Sequence, residues 1–332
     1  MDHPPQLLVF GEALVDRFAD AVVPGGAPFN VARHLSALGL PLLLLTRVGA
    51  DNDASAIRSE INRYDLSPAG VQIDPVLPTG CVDVTESAPG RHSFHIAPVS
   101  AYDFYDEEAL YRVAPLTPLW QVPSPVSAVY YGTLALRHPQ SRQACYRVQD
   151  RVGGQRFLDF NWREGHVSQD TAWEAFCRAD MAKLNDEELS MLLSWRGLAS
   201  PWREEPPSEG VTCNAIAALL GESRIKKLVV TYGAAGYGAF SDKGTCIARG
   251  RGLTNVRLVD TVGAGDAFAA ITLLGDLLAW PLKATLQRAN EFAAAMCGQR
   301  GAVPDSIDFY ASWKSRWQLS PTPIPAGAGH SC

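Results

Sequence analysis

Apolar and amphipathic runs alternate along most of the chain, and this pattern predicts strands that alternate with helices. Short, strongly apolar runs predict strands at residues 7–15, 41–48, 128–131, 156–160, 181–184, 227–231, 237–241 and 256–259. Apolar residues at helical spacing predict helices at residues 30–38, 54–64, 107–113, 140–152, 171–178, 187–194, 212–220, 267–279, 282–297 and 307–317. Alternating strands and helices build a parallel sheet with helices on both faces. We therefore expect an α/β fold that binds ligands at the carboxyl ends of its strands.

One region breaks the alternation. Segments of mixed polarity at residues 17–23, 80–86 and 92–96 predict short strands, and a Pro-Gly turn signal rather than a helix separates the last two. We expect these strands to form a small β-sheet lid, from about residues 16–24 and 80–103, beside the main sheet. Such a lid would keep water away from a reaction at the sheet edge.

Composition excludes several classes of protein. The chain is 47% hydrophobic and 19% charged with a net charge of −6, and its Lys and Arg residues are scattered, so we expect no nucleic-acid partner. The first apolar run is too short to span a membrane and is interrupted by Gly11 and Glu12. We therefore expect no membrane partner. The seven cysteines contain no CxxC pair, which is typical of reduced thiols in a cytoplasmic protein.

The chain is long enough for one large domain. We expect a single catalytic domain over residues 1–318. Residues 197–210 are rich in Pro, Glu and Ser and predict a surface loop. Residues 319–332 are rich in Pro, Gly, Ala and Ser, have little to bury, and predict a disordered tail.

A small-residue turn stands between a predicted strand and a predicted helix at residues 260–268. Gly263, Ala264 and Gly265 would present free backbone N–H groups at the positive end of that helix, an arrangement that binds an anion. The next residue, Asp266, would repel a phosphate unless it acts as a base toward an acceptor hydroxyl. The combination indicates phosphoryl transfer from a nucleotide to an alcohol. The alternative is a plain turn whose aspartate offsets the helix dipole.

A second motif follows the first strand. Asp16 ends an apolar run, and Gly25 and Gly26 open a helix that carries Asn30 in its first turn. A ligand with several hydroxyl groups needs this mixture of carboxylate, amide and accessible backbone. The alternative is a tight turn with an N-cap.

Further polar segments come directly after predicted strands. Asn185 and Glu188 suit a hydrated Mg²⁺, which takes few protein ligands, or else they form a capping box. Asp159, Asn161 and Arg163 would point the same way in an extended chain. Arg163 would then suit a phosphate charge, unless it pairs with Asp159.

Two other segments suit a nucleotide. Thr231, Gly233 and Gly236 form a small-residue turn over which a nucleotide could lie, although a simple turn gives the same pattern. Asn290 lies on a small-residue helix face that suits a flat adenine pocket or close helix packing.

Together, in this order and spacing, the segments resemble the ribokinase/PfkB family of ATP-dependent carbohydrate kinases, over about residues 7–302. The two most specific pieces are the run from Gly25 to Ala32 and the run from Asp260 to Asp266. The resemblance implies a ribokinase-like three-layer α/β/α sandwich with a mostly parallel central sheet and a β lid. It also implies ATP and a sugar as ligands, Mg²⁺ and, as in many members, K⁺ as cofactors, and a homodimer formed through the lid.

The resemblance also implies roles for individual residues. Asp266 is implied as the catalytic base, with the backbone of Gly263, Ala264 and Gly265 as the anion hole. The implied sugar ligands are Asp16, Gly26 and Asn30. The implied magnesium pair is Asn185 and Glu188, and the implied potassium site lies around Asp260, Val262 and Gly301. The implied nucleotide contacts are Thr231, Gly233, Gly236 and Asn290.

Within the family the motifs are most similar to those of fructokinases, so we expect fructose as the acceptor. The lid segment at residues 93–103 lacks the basic residue that the family pattern places after Phe94 and Ile96. Other sugars therefore stay open: ribose, 2-keto-3-deoxygluconate or a nucleoside. A catalytically silent sugar or nucleotide sensor is a further alternative, which the retained Asp266 opposes. A dinucleotide-binding dehydrogenase is disfavoured, because no GxGxxG follows the first strand.

Overall fold

The computed structural model describes residues 6–88, 91–113, 126–199, 205–254 and 258–319. The strands are β1 (Gln6–Phe10), β2 (Leu14–Arg17), β3 (Val22–Gly25), β4 (Leu42–Gly49), β5 (Val71–Asp74), β6 (Gly80–Ala88), β7 (Arg91–Ile96), β8 (Val126–Gly132), β9 (Gln155–Asp159), β10 (Met181–Asn185), β11 (Lys227–Thr231), β12 (Tyr237–Ser241) and β13 (Cys246–Gly250). The helices are α1 (Ala27–Ala37), α2 (Asn52–Arg63), α3 (Glu107–Val113), α4 (Pro139–Val152), α5 (Gln169–Arg178), α6 (Asp186–Trp195), α7 (Asn214–Gly221), α8 (Ala264–Leu277), α9 (Leu282–Met296) and α10 (Phe309–Trp317).

The main sheet has nine described strands in the order β13-β12-β11-β10-β9-β8-β1-β4-β5. All pairs from β11 to β5 are parallel, and β12 and β13 continue the sheet as an antiparallel hairpin. The carboxyl ends of β1, β9, β10 and β11 therefore meet at one edge of the sheet. That edge carries most of the polar motifs.

Hydrophobic cores fill both faces of the main sheet. In β1, Leu8 and Phe10 face the core under α4 to α7, whereas Leu7 and Val9 face the core under α1, α2, α8, α9 and α10. This alternation is the ordinary geometry of a strand buried on both sides. The three-layer α/β/α architecture expected from the sequence is confirmed.

A smaller sheet with the strand order β3-β2-β6-β7 forms the expected lid. Strands β2 and β6 run parallel, while β2–β3 and β6–β7 are antiparallel pairs. The expectation of one lid strand over residues 17–23 is wrong. Here β2 ends at Arg17 and a tight turn, closed by Phe18 N–H donating to Ala21 O at 2.8 Å, leads into β3.

The expectation of one strand over residues 7–15 is also wrong. Strand β1 ends at Phe10, and the chain leaves the main sheet to enter the lid as β2. Gly11 allows this departure, because a Cβ at that position would lie 2.3 Å from Cγ of Pro28 at the start of α1. Apolar composition continues through the break because both strands are buried, so periodicity alone does not reveal it.

The strand expected at residues 256–259 falls partly outside the described residues. Leu258 and Val259 are not in a strand and are exposed. The backbone N–H groups of Val259 and Asp260 instead donate to Cys297 O beyond the end of α9, at 2.8 and 3.2 Å.

Two predicted segments can be placed only in part. Residues 205–210 contain neither helix nor strand, while residues 200–204 of the same expected loop lie outside the described part of the chain. The expected tail lies outside it too, apart from Leu319. Among the helices that the structure describes, none combines the length and apolar character needed to cross a bilayer.

Candidate active site

The turn before α8 has a left-handed Gly263 ahead of the helix, but the expectation that the N–H groups of Gly263, Ala264 and Gly265 are all free is wrong for Ala264. Gly263 adopts φ +76°, and a Cβ there would lie 2.4 Å from Cα of Ala302, so a side chain has no room. The Ala264 N–H donates to Thr261 O at 3.2 Å and is used within the turn. The N–H groups that α8 leaves free at its start are therefore the ones just after Ala264.

Asp266 lies in the first turn of α8 and is half-buried. Its Oδ2 accepts a hydrogen bond from Nδ2 of Asn30, at 2.6 Å. Burial raises the pKa of Asp266, and the charge of Asp159 raises it further, against the lowering effect of Asn30, Lys183 and Arg163. The two most specific sequence motifs, far apart in the chain, thus meet through these two side chains.

Lys183 is a site residue that the sequence reasoning did not identify. It lies within β10 and is buried, and its Nζ pairs with Oδ1 of Asp159 at 3.1 Å. A Cβ on Gly265 would lie 3.2 Å from this Nζ, so the ammonium group rests against the first turn of α8. Burial alone would lower the pKa of Lys183, but Asp159, Glu188 and Asp266 raise it and keep the side chain cationic. The available signal was a single lysine inside a short apolar strand.

The Asp16 carboxylate and the backbone carbonyl of Glu12 lie against the Gly25-Gly26 turn. A Cβ on Gly25 would lie 2.6 Å from Oδ2 of Asp16, and one on Gly26 would lie 2.6 Å from the backbone oxygen of Glu12. Burial raises the pKa of Asp16 to about 6, against the charges of Arg163 and Arg33. The two glycines therefore let the backbone pack directly on the Asp16 carboxylate and on the Glu12 carbonyl.

Glu12 received no role from the sequence beyond interrupting an apolar run. It is 2% exposed, and its Oε2 has no hydrogen-bond partner among the described residues. Burial raises the pKa of Glu12 to about 7, and the charge of Arg163 opposes the shift. A carboxylate inside an apolar strand end was the signal that could have found it.

The predicted alignment of Asp159, Asn161 and Arg163 is wrong. Asn161 has φ +36°, so the chain turns after β9; Asp159 is buried while Arg163 is exposed. The alternative ion pair between Asp159 and Arg163 does not form, because Asp159 pairs with Lys183 and accepts from the Tyr130 hydroxyl at 3.1 Å. The charge of Arg163 still lowers the pKa values of the site carboxyl groups.

Asn185 and Glu188 form the capping box that was the alternative to a magnesium pair. Oδ1 of Asn185 accepts from Glu188 N–H at 2.7 Å, and Oε2 of Glu188 accepts from Asn185 N–H at 2.8 Å. Oε1 of Glu188 accepts from Trp162 N–H at 3.0 Å. Within the described ranges, no three or more His, Cys, Asp or Glu residues are grouped as direct metal ligands. Each oxygen keeps further lone pairs, so the pair fits a role toward metal-bound water.

The structure brings the predicted nucleotide residues Gly236 and Asn290 to one segment. A Cβ on Gly236 would lie 2.1 Å from Gly250 O, and Nδ2 of Asn290 donates to Arg251 O at 3.1 Å. Gly233 begins the short 3₁₀ turn that leads from β11 to Gly236, and the space where its side chain would stand is open. Thr231 ends β11, and its hydroxyl donates to Leu184 O at 3.3 Å.

The three residues predicted around a potassium ion also meet. The Asp260 carboxylate accepts from Val262 N–H at 3.0 Å and from Gly301 N–H at 2.9 Å. Asp260 therefore fastens the loop before α8 to the segment that follows α9.

A comparison with known families decides the classification of this chain. Residues 8–308 match the family described as pfkB family carbohydrate kinase. The chain belongs to this family. It is therefore a sugar kinase, as the two motifs predicted, and the expectation of an enzyme is confirmed.

Individual relatives agree with this membership. The chain is 26% identical over 283 residues to a fructokinase of Rhizobium leguminosarum bv. trifolii, covering 80% of this chain and 77% of that protein. A fructokinase of Vibrio cholerae O395, solved in a fructose, ADP and calcium ion bound form, superposes with a TM-score of 0.71 at 25% identity over 92% of this chain and 98% of that one. A fructokinase of Xylella fastidiosa with bound ATP shares the fold, with a TM-score of 0.74 at 21% identity over 94% and 99% of the two chains.

Proposed function

We propose that this PfkB family member is an ATP-dependent fructokinase that transfers the γ-phosphoryl group to a hydroxyl of fructose. The observation that carries the proposal is the hydrogen bond between Asn30 and Asp266 at the start of α8. Asp266, a carboxylate of raised pKa, lies in the first turn of α8, and the bond joins it to the helix that follows the Gly25-Gly26 turn. Two relatives that are named fructokinase and are 26% and 25% identical to this chain favour fructose as the sugar.

In the proposed reaction, Asp266 takes the proton of the attacking sugar hydroxyl. The sugar oxygen then forms a bond to the γ-phosphorus while the bond to the bridging oxygen of ADP breaks. The turn at Gly263, Ala264 and Gly265 receives the charge of the transferring group, and the N–H groups directly after Ala264, beginning with that of Gly265, are its proposed donors. The buried ammonium of Lys183 adds positive charge at the same point. Phosphoryl transfer depends mainly on such positioning and charge stabilisation.

The proposed sugar ligands surround the Gly25-Gly26 turn. Asp16 and Asn30 would bind sugar hydroxyls, and Gly26 would let the sugar approach the backbone. Arg163 is exposed, and its charge lowers the pKa values of Asp16 and Asp266. It would bind the sugar from the side of β9. Carboxylate, amide and guanidinium groups together suit a polyhydroxylated ligand.

The proposed nucleotide site lies along the turn after β11. Its proposed contacts are Thr231, Gly233, Gly236 and Asn290. Asn185 and Glu188 would hold water of a Mg²⁺ ion, which would neutralise phosphate charge when bound. The loop fastened by Asp260, with Val262 and Gly301, is the proposed K⁺ site through its backbone oxygens.

Assembly and location are also proposals. The lid exposes Phe18, Val22 and Val23, at 38%, 46% and 40%, and these apolar side chains support a homodimer formed through the lid. The described cysteines are free thiols, which fits a cytoplasmic enzyme.

A coupled ADP-release assay with ATP, Mg²⁺ and K⁺ tests the function. The acceptors are fructose, ribose, 2-keto-3-deoxygluconate, mannose, tagatose, adenosine and fructose 6-phosphate, and Asp266→Asn is the inactive control. Strong turnover with fructose alone is the expected result. Turnover with another acceptor overturns fructose while keeping the kinase, and sugar or ATP binding without turnover on any acceptor would indicate a sensor.

A further inference from the structure

Arg33 is a buried arginine for which the kinase mechanism above has no role. It lies on α1 with 1% of its surface exposed. Its Nη1 pairs with Oε2 of Glu60 at 2.9 Å, and its guanidinium carbon lies 4.5 Å from the centre of the Phe29 ring. Burying a guanidinium is costly; both Nη atoms of Arg33 have acceptors, while its Nε has no hydrogen-bond partner among the described residues.

The second guanidinium nitrogen of Arg33 faces the active site. Its Nη2 donates to Oδ1 of Asn30 and also to the backbone oxygen of Pro24, at 3.0 Å in the latter case. Pro24 belongs to lid strand β3. One nitrogen therefore joins the lid to the same amide that contacts Asp266.

Two charged neighbours fix which way the Asn30 amide is turned. The Arg33 guanidinium is a donor only, so it binds the amide oxygen, and the Asp266 carboxylate is an acceptor, so it binds the amide NH₂. The reversed amide would set donor against donor and oxygen against carboxylate. Hydrogen bonds in such a chain also polarise one another, which makes the amide a better donor to Asp266.

We propose that Arg33 is a positioning residue, which holds the Asn30 amide with its NH₂ group on Asp266 and thereby orients the catalytic carboxylate toward the acceptor hydroxyl. The inference rests on the proposed function, because it assumes that Asp266 is the base. It adds that the lid strand β3 and the base share one anchoring side chain.

The test compares Arg33→Lys with the wild type through the pH dependence of kcat/KM for the best acceptor. Lysine keeps the charge but lacks the fork that reaches Glu60 with one nitrogen and both Asn30 and Pro24 with the other. The Asn30 bond normally lowers the pKa of Asp266, so its weakening should raise that pKa. We expect the acid limb to move up by about half to one pH unit and kcat to fall about tenfold.

Other charged groups face Asp266 and stay in place in this variant. They are Asp159 and Lys183 from the β9 and β10 strands, Arg163 from the loop after β9, and Glu12 and Asp16 from the sugar side. A shift of the acid limb in Arg33→Lys therefore cannot come from the loss or gain of one of these charged groups.

Arg47→Lys is the matched control. Like Arg33, Arg47 pairs with a carboxylate, that of Asp74 at 2.8 Å, and donates to a backbone oxygen, Phe104 O at 2.7 Å, but it contacts neither Asn30 nor Asp266. It should lose thermal stability and keep the wild-type pH profile. If Arg33 were only structural, both lysine variants would behave in this way.

A double variant identifies the route of the effect. In an Asn30→Ala background, adding Arg33→Lys should move the acid limb no further, and an equal second shift would overturn the proposal. An unchanged profile in folded Arg33→Lys would overturn it too; if that protein does not fold, Arg33→Gln, which keeps two N–H donors without the charge, decides by the same criterion. Failure of the kinase assignment looks different, because the wild type would then turn over none of the acceptors; turnover retained in Asp266→Asn would remove Asp266 as the base.

Discussion

Lys183 and Asp159 form a buried ion pair directly beneath the first turn of α8. Their Nζ and Oδ1 atoms are 3.1 Å apart, and the ammonium lies 3.2 Å from where Gly265 would carry a Cβ. The pair thus connects the middle of the sheet to the helix end that is proposed to receive the phosphoryl group. Its contributions to stability and to catalysis can be separated.

Lys183→Met should destabilise the protein by about 3–5 kcal/mol, because it leaves Asp159 buried without a partner. Adding Asp159→Asn should recover much of that loss, since the amide carries no charge and its oxygen can still accept from the Tyr130 hydroxyl. The double variant should still have a low kcat, because the positive charge beside Gly265 is gone. Chemical denaturation measures the first effect and steady-state kinetics the second; normal turnover in the double variant would leave the lysine a purely structural role.

Asp266→Asn should lower kcat by about 10²–10⁴, the range expected from losing a general base. Asparagine keeps the size of the side chain, so ATP binding, measured by calorimetry, should persist. Asp276→Asn is the control, because Asp276 is on the same helix and pairs with Lys227 at 2.6 Å instead of facing the site. Similar kinetics for the two variants would remove Asp266 from the mechanism.

Asp16→Ala should raise KM for the sugar about 10- to 100-fold, the effect of losing a hydrogen bond to a charged group. Its effect on kcat should be smaller, because the proposed contact is to hydroxyls away from the reacting one. Asp20→Ala removes an exposed carboxylate from the same lid and serves as the control. A sugar KM that is equal in both variants would place Asp16 outside the sugar site.

Glu12 should make stability fall as pH rises from about 4.5 to about 7. Its pKa is about 7 in the folded protein against 4.5 as the ordinary value, so the folded state holds the extra proton in this window. Ionisation above it costs up to about 3 kcal/mol. Glu12→Gln should therefore raise Tm at pH 8 and change it little at pH 4.5. A uniform change in Tm across this range would show that Glu12 is not protonated in the folded state.

Sequence patterns predict the parts of this fold whose structure is determined by residues close to one another in the chain. The turn at Gly263 and the helix that carries Asp266 follow from local composition, and the structure contains both. The order of strands and helices follows from periodicity in the same way. Both kinds of signal are contained within a few consecutive positions.

Contacts between distant segments are what the sequence could not supply. Arg33 and Lys183 are charged residues in apolar runs, and nothing nearby in the chain indicates that Glu60 and Asp159 receive them. The break at Gly11 is hidden for a similar reason: its cause is Pro28, which approaches only after the chain has folded back.

The short passage from β1 to β2 has a mechanical consequence. Only residues 11–13 separate a central strand of the main sheet from a strand of the lid, and Asp16 is itself part of that lid strand. Asn30, on α1, belongs to the main body. A sugar bound by both Asp16 and Asn30 would connect the lid to the main body. Binding of the sugar and closure of the lid over it would then be one step rather than two.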